Sequence, residues 1–124
     1  MNYYLVLGAI NSVIDQAEIY PDEALAASAA RRFVDADSAP LSDGAVIGSD
    51  RAGINYRALY LSLEVDERKL KNSIYVLVRS VPYLHSTTSA RVFYGENEAK
   101  AEAGSFNAAL SRASFHAYLF TFAV

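Results

Sequence analysis

The chain has 124 residues, of which 52% are apolar and 20% charged, a size and mixture that suit one domain over residues 1–124 with a real core, because single cores are most often built from roughly 100–150 residues. The absence of Cys removes a disulfide framework, a thiol nucleophile and any thiolate metal site. Eleven Lys+Arg against fourteen Asp+Glu give a net charge of −3, the wrong sign for a protein held mainly by phosphate neutralisation, so no nucleic-acid partner is expected.

The chain begins Met1-Asn2-Tyr3-Tyr4-Leu5-Val6-Leu7-Gly8-Ala9-Ile10. No basic residue precedes the apolar run, and the run is shorter than the roughly 20 residues of a membrane span. The expectation is a cytoplasmic protein with no membrane partner. Residues 3–7 carry the aromatic and β-branched mix that suits a pleated surface and predict a first strand, ended by Gly8 and the polar Asn11-Ser12.

Pro21-Asp22-Glu23 opens a predicted helix over 22–34. Acidic residues in its first turn and Arg31-Arg32 near its end both complement the helix dipole. Leu25, Ala29 and Phe33 recur at i, i+4 and i+8 with Ala26 and Ala30 beside them, a narrow stripe of mostly small side chains that lets a helix lie close to a sheet. Ala is the commonest residue of the chain, at 21 positions. Residues 35–50 shift to Asp, Ser, Pro and Gly and read as a loop, with a short strand at Ala45-Val46-Ile47.

Residues 56–65 alternate strictly and predict a half-buried strand. Arg57, Leu59, Leu61, Leu63 and Val65 point one way, and Tyr56, Ala58, Tyr60, Ser62 and Glu64 the other. A polar connection over 66–72 leads to a second β run at Ile74–Val81, stopped by Pro82. A strand over 90–94 ends at Gly95. A second Ala-rich helix over 97–110 then presents Ala99, Ala103, Phe106 and Leu110 on its apolar face, with Glu96 and Lys100 spaced for an i,i+4 ion pair. Residues 114–123 alternate with apolar or aromatic groups on both faces, which predicts a strand in the middle of a sheet. A faint repeat aligns Ala17–Tyr20, Glu23-Ala24 and Phe33 with Ala90–Phe93, Glu98-Ala99 and Phe106.

These elements assemble most economically as an α+β fold. A mainly antiparallel sheet would carry both Ala-rich helices on one face, in a ferredoxin-like or related duplicated β-α-β layout. The opposite face would then collect Tyr56, Tyr60, Tyr75, Arg79, His116 and Tyr118, with Tyr3 or Tyr4 near the start. Tyr combines an apolar ring with a polar tip at low rotamer entropy, which favours it at interfaces. These six residues are the candidate binding site. The function expected is a non-enzymatic protein-interaction module that uses this face, or an exposed edge strand, as a homodimer or as a small inhibitor or adaptor of a larger protein.

Catalytic patterns are sparse. His85-Ser86-Thr87 spells the H-x-T triplet of phosphoesterases that use two such motifs, but the second triplet is missing, and His116-Ala117-Tyr118 offers only a phenol in its place. The alternative function built on these two histidines is a metal-independent phosphodiesterase or ribonuclease. Ser86-Thr87-Thr88-Ser89 followed by Glu96-Asn97-Glu98 echoes elements of ADP-ribosyltransferases at a spacing far too short for separate strands. With two His and no His pair at helical spacing, no metal and no cofactor are expected.

Overall fold

The computed structural model describes residues 1–80, 84, 88–109 and 116–123. Two tight turns organise the first sheet. Strand β1 (Asn2–Ile10) and strand β2 (Val13–Tyr20) are joined by Asn11 and Ser12 at φ 48° and 70°. Positive φ at both central residues belongs to the turn whose twist matches that of paired strands. Strand β3 (Ile47–Arg51) and strand β4 (Ile54–Glu64) are joined in the same way by Ala52 and Gly53, at φ 52° and 80°. The first turn is tied to the second hairpin: the Asn11 side-chain oxygen accepts from the Asn55 N–H at 2.9 Å, and the Asn11 N–H donates to the Asn55 carbonyl at 2.8 Å. β1 pairs antiparallel with both β2 and β4, giving the order β2-β1-β4-β3.

Between the hairpins lies helix α1 (Glu23–Phe33), capped by Asp22, whose carboxylate accepts from the Ala24 N–H at 2.7 Å. That bond satisfies one of the backbone donors a helix start leaves open. The second sheet holds strands β5 (Ser73–Ser80), β6 (Ser89–Phe93) and β7 (His116–Ala123) in the antiparallel order β6-β5-β7, with helix α2 (Glu96–Ala109) between β6 and β7 in sequence.

Side-chain alternation stacks the layers. Leu5, Leu7 and Ala9 of β1 and Leu59 and Leu63 of β4 meet Ile74, Val76 and Val78 of β5 in one buried cluster, joined by half-buried Val92, Tyr118, Phe120 and Phe122. The two sheets therefore pack face to face. The opposite parity of β1 and β4, with Val6, Ala58 and Tyr60, faces Ala26, Ala27, Ala29 and Ala30 of α1. Leu77 and Phe93, with half-buried Tyr75, Ala117 and Leu119, pack against Ala99 of α2. The result is helix, sheet, sheet, helix. Complete burial of a Leu or Ile such as Leu5, Leu7, Leu59 or Ile74 contributes about 1.5–3 kcal/mol each, so the inter-sheet seam dominates cohesion.

The α+β class, the antiparallel pairing and the two Ala-rich helices are as expected, and the alternation of 56–65 sorts as read. The helices, however, do not share one face: each covers the outer face of its own sheet. Short alanine stripes lie close to a sheet wherever a flat, small-residue surface is offered, and two sheets offer two such surfaces. The stripe expected on α1 is buried at Ala26, Ala29 and Ala30 and half-buried at Phe33, and departs only at Leu25. Ala26, Ala30 and Val34 are each 0% exposed while Leu25 is 53% exposed, so the smallest side chains face the sheet and the larger leucine faces water.

Gly8 does not end β1. A Cβ there would lie 2.6 Å from the Phe33 ring, so the glycine lets α1 dock its last aromatic on the strand. The short strand expected at 45–47 sits later, at Ile47–Arg51. Residues 17–20 belong to a full eight-residue β2. Glu96 and Lys100 form the expected pair at 2.6 Å; the Phe106 side chain and Leu110 lie outside the described residues. Strand β7 is not central but at the edge of its sheet. Its two-sided character comes from the layers above and below it, the first sheet and α2.

Candidate functional site

The six residues expected to share a face lie in three places. Tyr56 and Tyr60 sit beneath α1. Tyr60 is 3% exposed, its hydroxyl donates to the Glu23 carboxylate at 3.1 Å, and its ring meets Tyr4 edge-on at 6.3 Å. Burial and then that hydrogen bond hold the Tyr60 phenol above its ordinary value. Tyr56 is half-buried, edge-on to Phe33 at 6.1 Å, with the Arg51 guanidinium 3.9 Å from its ring centre. Tyr75 is on the opposite outer surface, half-buried beside α2, and Arg79 shares its strand parity and is exposed. Tyr118 packs into the seam between the sheets. His116 stands opposite Ser80 at the start of β7; its side chain, like all of His85, lies outside the described residues. The structure thus covers Tyr56 and Tyr60 with the chain's own helix rather than presenting them together with Tyr75.

The four sheet edges differ in how they are protected. β2 carries Asp15 and Glu18, and Glu18 accepts hydrogen bonds from Gln16 and Tyr20 along the strand. β3 and β6 are five residues each and carry Asp50 with Arg51, and Arg91. Short length and charge are the usual means of keeping an edge from pairing with another chain. β7 has neither. Its eight residues, His-Ala-Tyr-Leu-Phe-Thr-Phe-Ala, include no Asp, Glu, Lys, Arg or Pro.

Burial along the second sheet marks the same edge. In the middle of the sheet Ile74, Val76, Leu77 and Val78 are at most 2% exposed. In β7, between the same two layers, Leu119, Phe120 and Phe122 are only half-buried, and Thr121 and Ala123 are exposed. Phe120 and Phe122 lie 6.4 Å apart, centre to centre.

Apolar groups on both faces of residues 114–123 read as a central strand, and that pattern alone does not distinguish a strand with two lateral neighbours from one at an edge. The signal that marks the edge is the run Leu119-Phe120-Thr121-Phe122-Ala123, which holds no Asp, Glu, Lys, Arg or His. Among the described residues no three His, Cys, Asp or Glu side chains gather as a metal site would require, and no helix is long and apolar enough to cross a membrane. The chain matches no protein-family model, and neither a curated protein nor a solved structure is significantly similar to it.

Proposed function

We propose that the protein is a non-enzymatic, cytoplasmic interaction module that associates with a second copy of itself through the Leu119–Ala123 edge of β7. The observation that carries this reading is the contrast between β7 and the other three edges: a long apolar strand without a charge, beside charged or short ones. An edge of this kind is a template for strand addition, in which backbone hydrogen bonds give affinity and alternate side chains give register.

A second copy suits the edge for two reasons. Antiparallel self-pairing of the Leu119–Ala123 stretch, which holds no acidic or basic residue, places no like charges opposite each other in any register, whereas self-pairing of β2 would bring Asp15 and Glu18 against their own copies. A pairing centred on Thr121 also sets Phe120 across from Phe122 of the second copy, a cross-strand aromatic contact worth about 0.2–1 kcal/mol on each side of the twofold axis.

Sedimentation of the intact chain tests the reading. The wild type is expected to sediment as a dimer, and Thr121→Lys, which sets two ammonium groups face to face at the twofold axis, as a monomer with unchanged circular dichroism. Thr121→Val should keep the dimer. A wild-type chain that stays monomeric as concentration is raised, or a Thr121→Lys chain that stays dimeric, overturns it.

A further inference from the structure

Four of the eleven Lys and Arg side chains, Arg68, Lys69, Lys71 and Arg91, line one open groove of about 590 Å³ between the β4–β5 connection and β6, floored in part by Phe93 and Tyr94. One acid, Glu98, lies on its wall. In a chain of net charge −3 this is a local excess of positive charge, and its members are not equally neutralised. Arg68 is paired with Asp66 at 3.2 Å, and that bond holds the Asp66 carboxyl below the usual carboxylate range. Arg91 is 3.7 Å from Glu102, with its guanidinium 4.9 Å from the Phe93 ring centre. Lys69 stands 5.9 Å from the centre of the Tyr94 ring. Among the described residues neither Lys69 nor Lys71 has an acidic partner within ion-pair distance.

Tyr94 is fixed in place because its hydroxyl oxygen accepts the Asp66 N–H at 2.7 Å, which leaves the phenolic proton for another acceptor. The turn that presents the lysines is itself set by backbone bonds, from the Lys69 N–H to the Asp66 carbonyl at 3.1 Å and from the Leu70 N–H to the Glu67 carbonyl at 3.3 Å. Both lysines are exposed, so their charges cost little to maintain when the groove is empty.

We infer that this groove binds a compact polyanion, a phosphate-bearing small molecule held by Lys69 and Lys71 with Arg91 and the Tyr94 hydroxyl as flanking donors. The size of the ligand is limited by the surroundings. Glu64 and Glu67 line the adjoining groove that shares Arg68 and Tyr94, and Glu98 and Glu102 bound the other side. An extended polyanion such as a nucleic-acid strand would cross these acids, whereas a diphosphate or a phosphorylated metabolite would not. No residue of β7 lines this groove.

Calorimetric titration of the intact chain with inorganic pyrophosphate and, separately, with adenosine triphosphate tests the site at low and at physiological salt. Binding of pyrophosphate is expected, weakened by added salt. Removing each lysine should cost about tenfold in affinity, which is about 1.4 kcal/mol. The double variant Lys69→Ala/Lys71→Ala should therefore bind too weakly to measure while Lys100→Ala, a lysine outside the groove, binds as the wild type does. Adenosine triphosphate binding more tightly than pyrophosphate would place a nucleoside on Tyr94; equal binding would assign the contact to phosphate alone. No heat with either probe, an unchanged double variant, or an equal loss in Lys100→Ala overturns the inference.

Discussion

The two halves of the chain follow one plan and complete it differently. In the first, β1 is flanked by β2 and β4, with α1 between β2 and β4 in sequence; in the second, β5 is flanked by β6 and β7, with α2 placed likewise. The faint sequence repeat aligns Ala17–Tyr20 of β2 with Ala90–Phe93 of β6, which are equivalent strands in this plan. The first half then adds β3 outside β4, and among the described strands none is hydrogen-bonded to the outer edge of β7. Ala58 and Leu59 of β4 are 0% exposed, while Leu119 and Phe120 of β7 are half-buried. Layers above and below a strand dictate its alternation, so β4 and β7 look alike as sequence. A lateral neighbour leaves only the absence or presence of charges as its trace.

The largest expected effect tests whether the halves share one core. Leu59→Ala in β4 and Ile74→Ala in β5 each remove a side chain that is 0% exposed in the inter-sheet cluster, and each should cost about 2–5 kcal/mol in denaturant unfolding, with a single transition in both. Two transitions, one moved by each substitution, would separate the halves.

A second contrast is between glycines. Gly8→Ala would put a methyl 2.6 Å from the Phe33 ring and should cost about 1–3 kcal/mol, recovered in part by Phe33→Leu in the same chain. Gly104, inside α2, has nothing within 4 Å of where a Cβ would lie, and Gly104→Ala should stabilise by about 0.5–1 kcal/mol. Equal signs for the two would mean that the close approach of α1 to β1 is not what fixes the first glycine.

The smallest effect concerns pH in the α1 layer. Because the Tyr60 phenol is raised above its ordinary 10.0 in the folded chain, its contribution is fully present below that value and is lost as pH climbs through the folded one. Tyr60→Phe should lower stability at neutral pH by about 0.5–1.5 kcal/mol and flatten the alkaline limb of the stability curve. Tyr20, raised chiefly by its hydrogen bond to Glu18, keeps a share of the slope. A limb unchanged by Tyr60→Phe would assign it wholly to other groups.

Much of the fold was legible in the sequence because strict alternation and helix caps are local. The sorting of Leu59 and Leu63 from Ala58 and Tyr60, the Asp22 start of α1 and the Glu96–Lys100 pair all follow from spacing. What was not legible is long-range. Nothing in a two-sided strand says whether one sheet or two supply its faces, so the phenols of Tyr56 and Tyr60 were assigned to an open surface that α1 covers. The mixed polar pattern Asp15-Gln16-Ala17-Glu18 hid most of β2, since an edge strand carries charges that blur its period. The basic groove escaped notice because Lys69 and Lys71 are brought beside Arg91 only by the docking of the 66–72 turn on β6.

The pairing of β1 carries a consequence for how the chain comes together. Its partners are separated unequally along the chain: β2 follows across two residues, whereas β4 places Glu64 opposite Asn2 and Tyr56 opposite Ile10. During synthesis the first hairpin can close at once, but its other side waits until residues 56–64 have left the ribosome. Closing so long a loop is slow, and the row of Leu5, Leu7 and Ala9 stays uncovered longer still, until β5 supplies Ile74, Val76 and Val78, which makes it a surface for a chaperone.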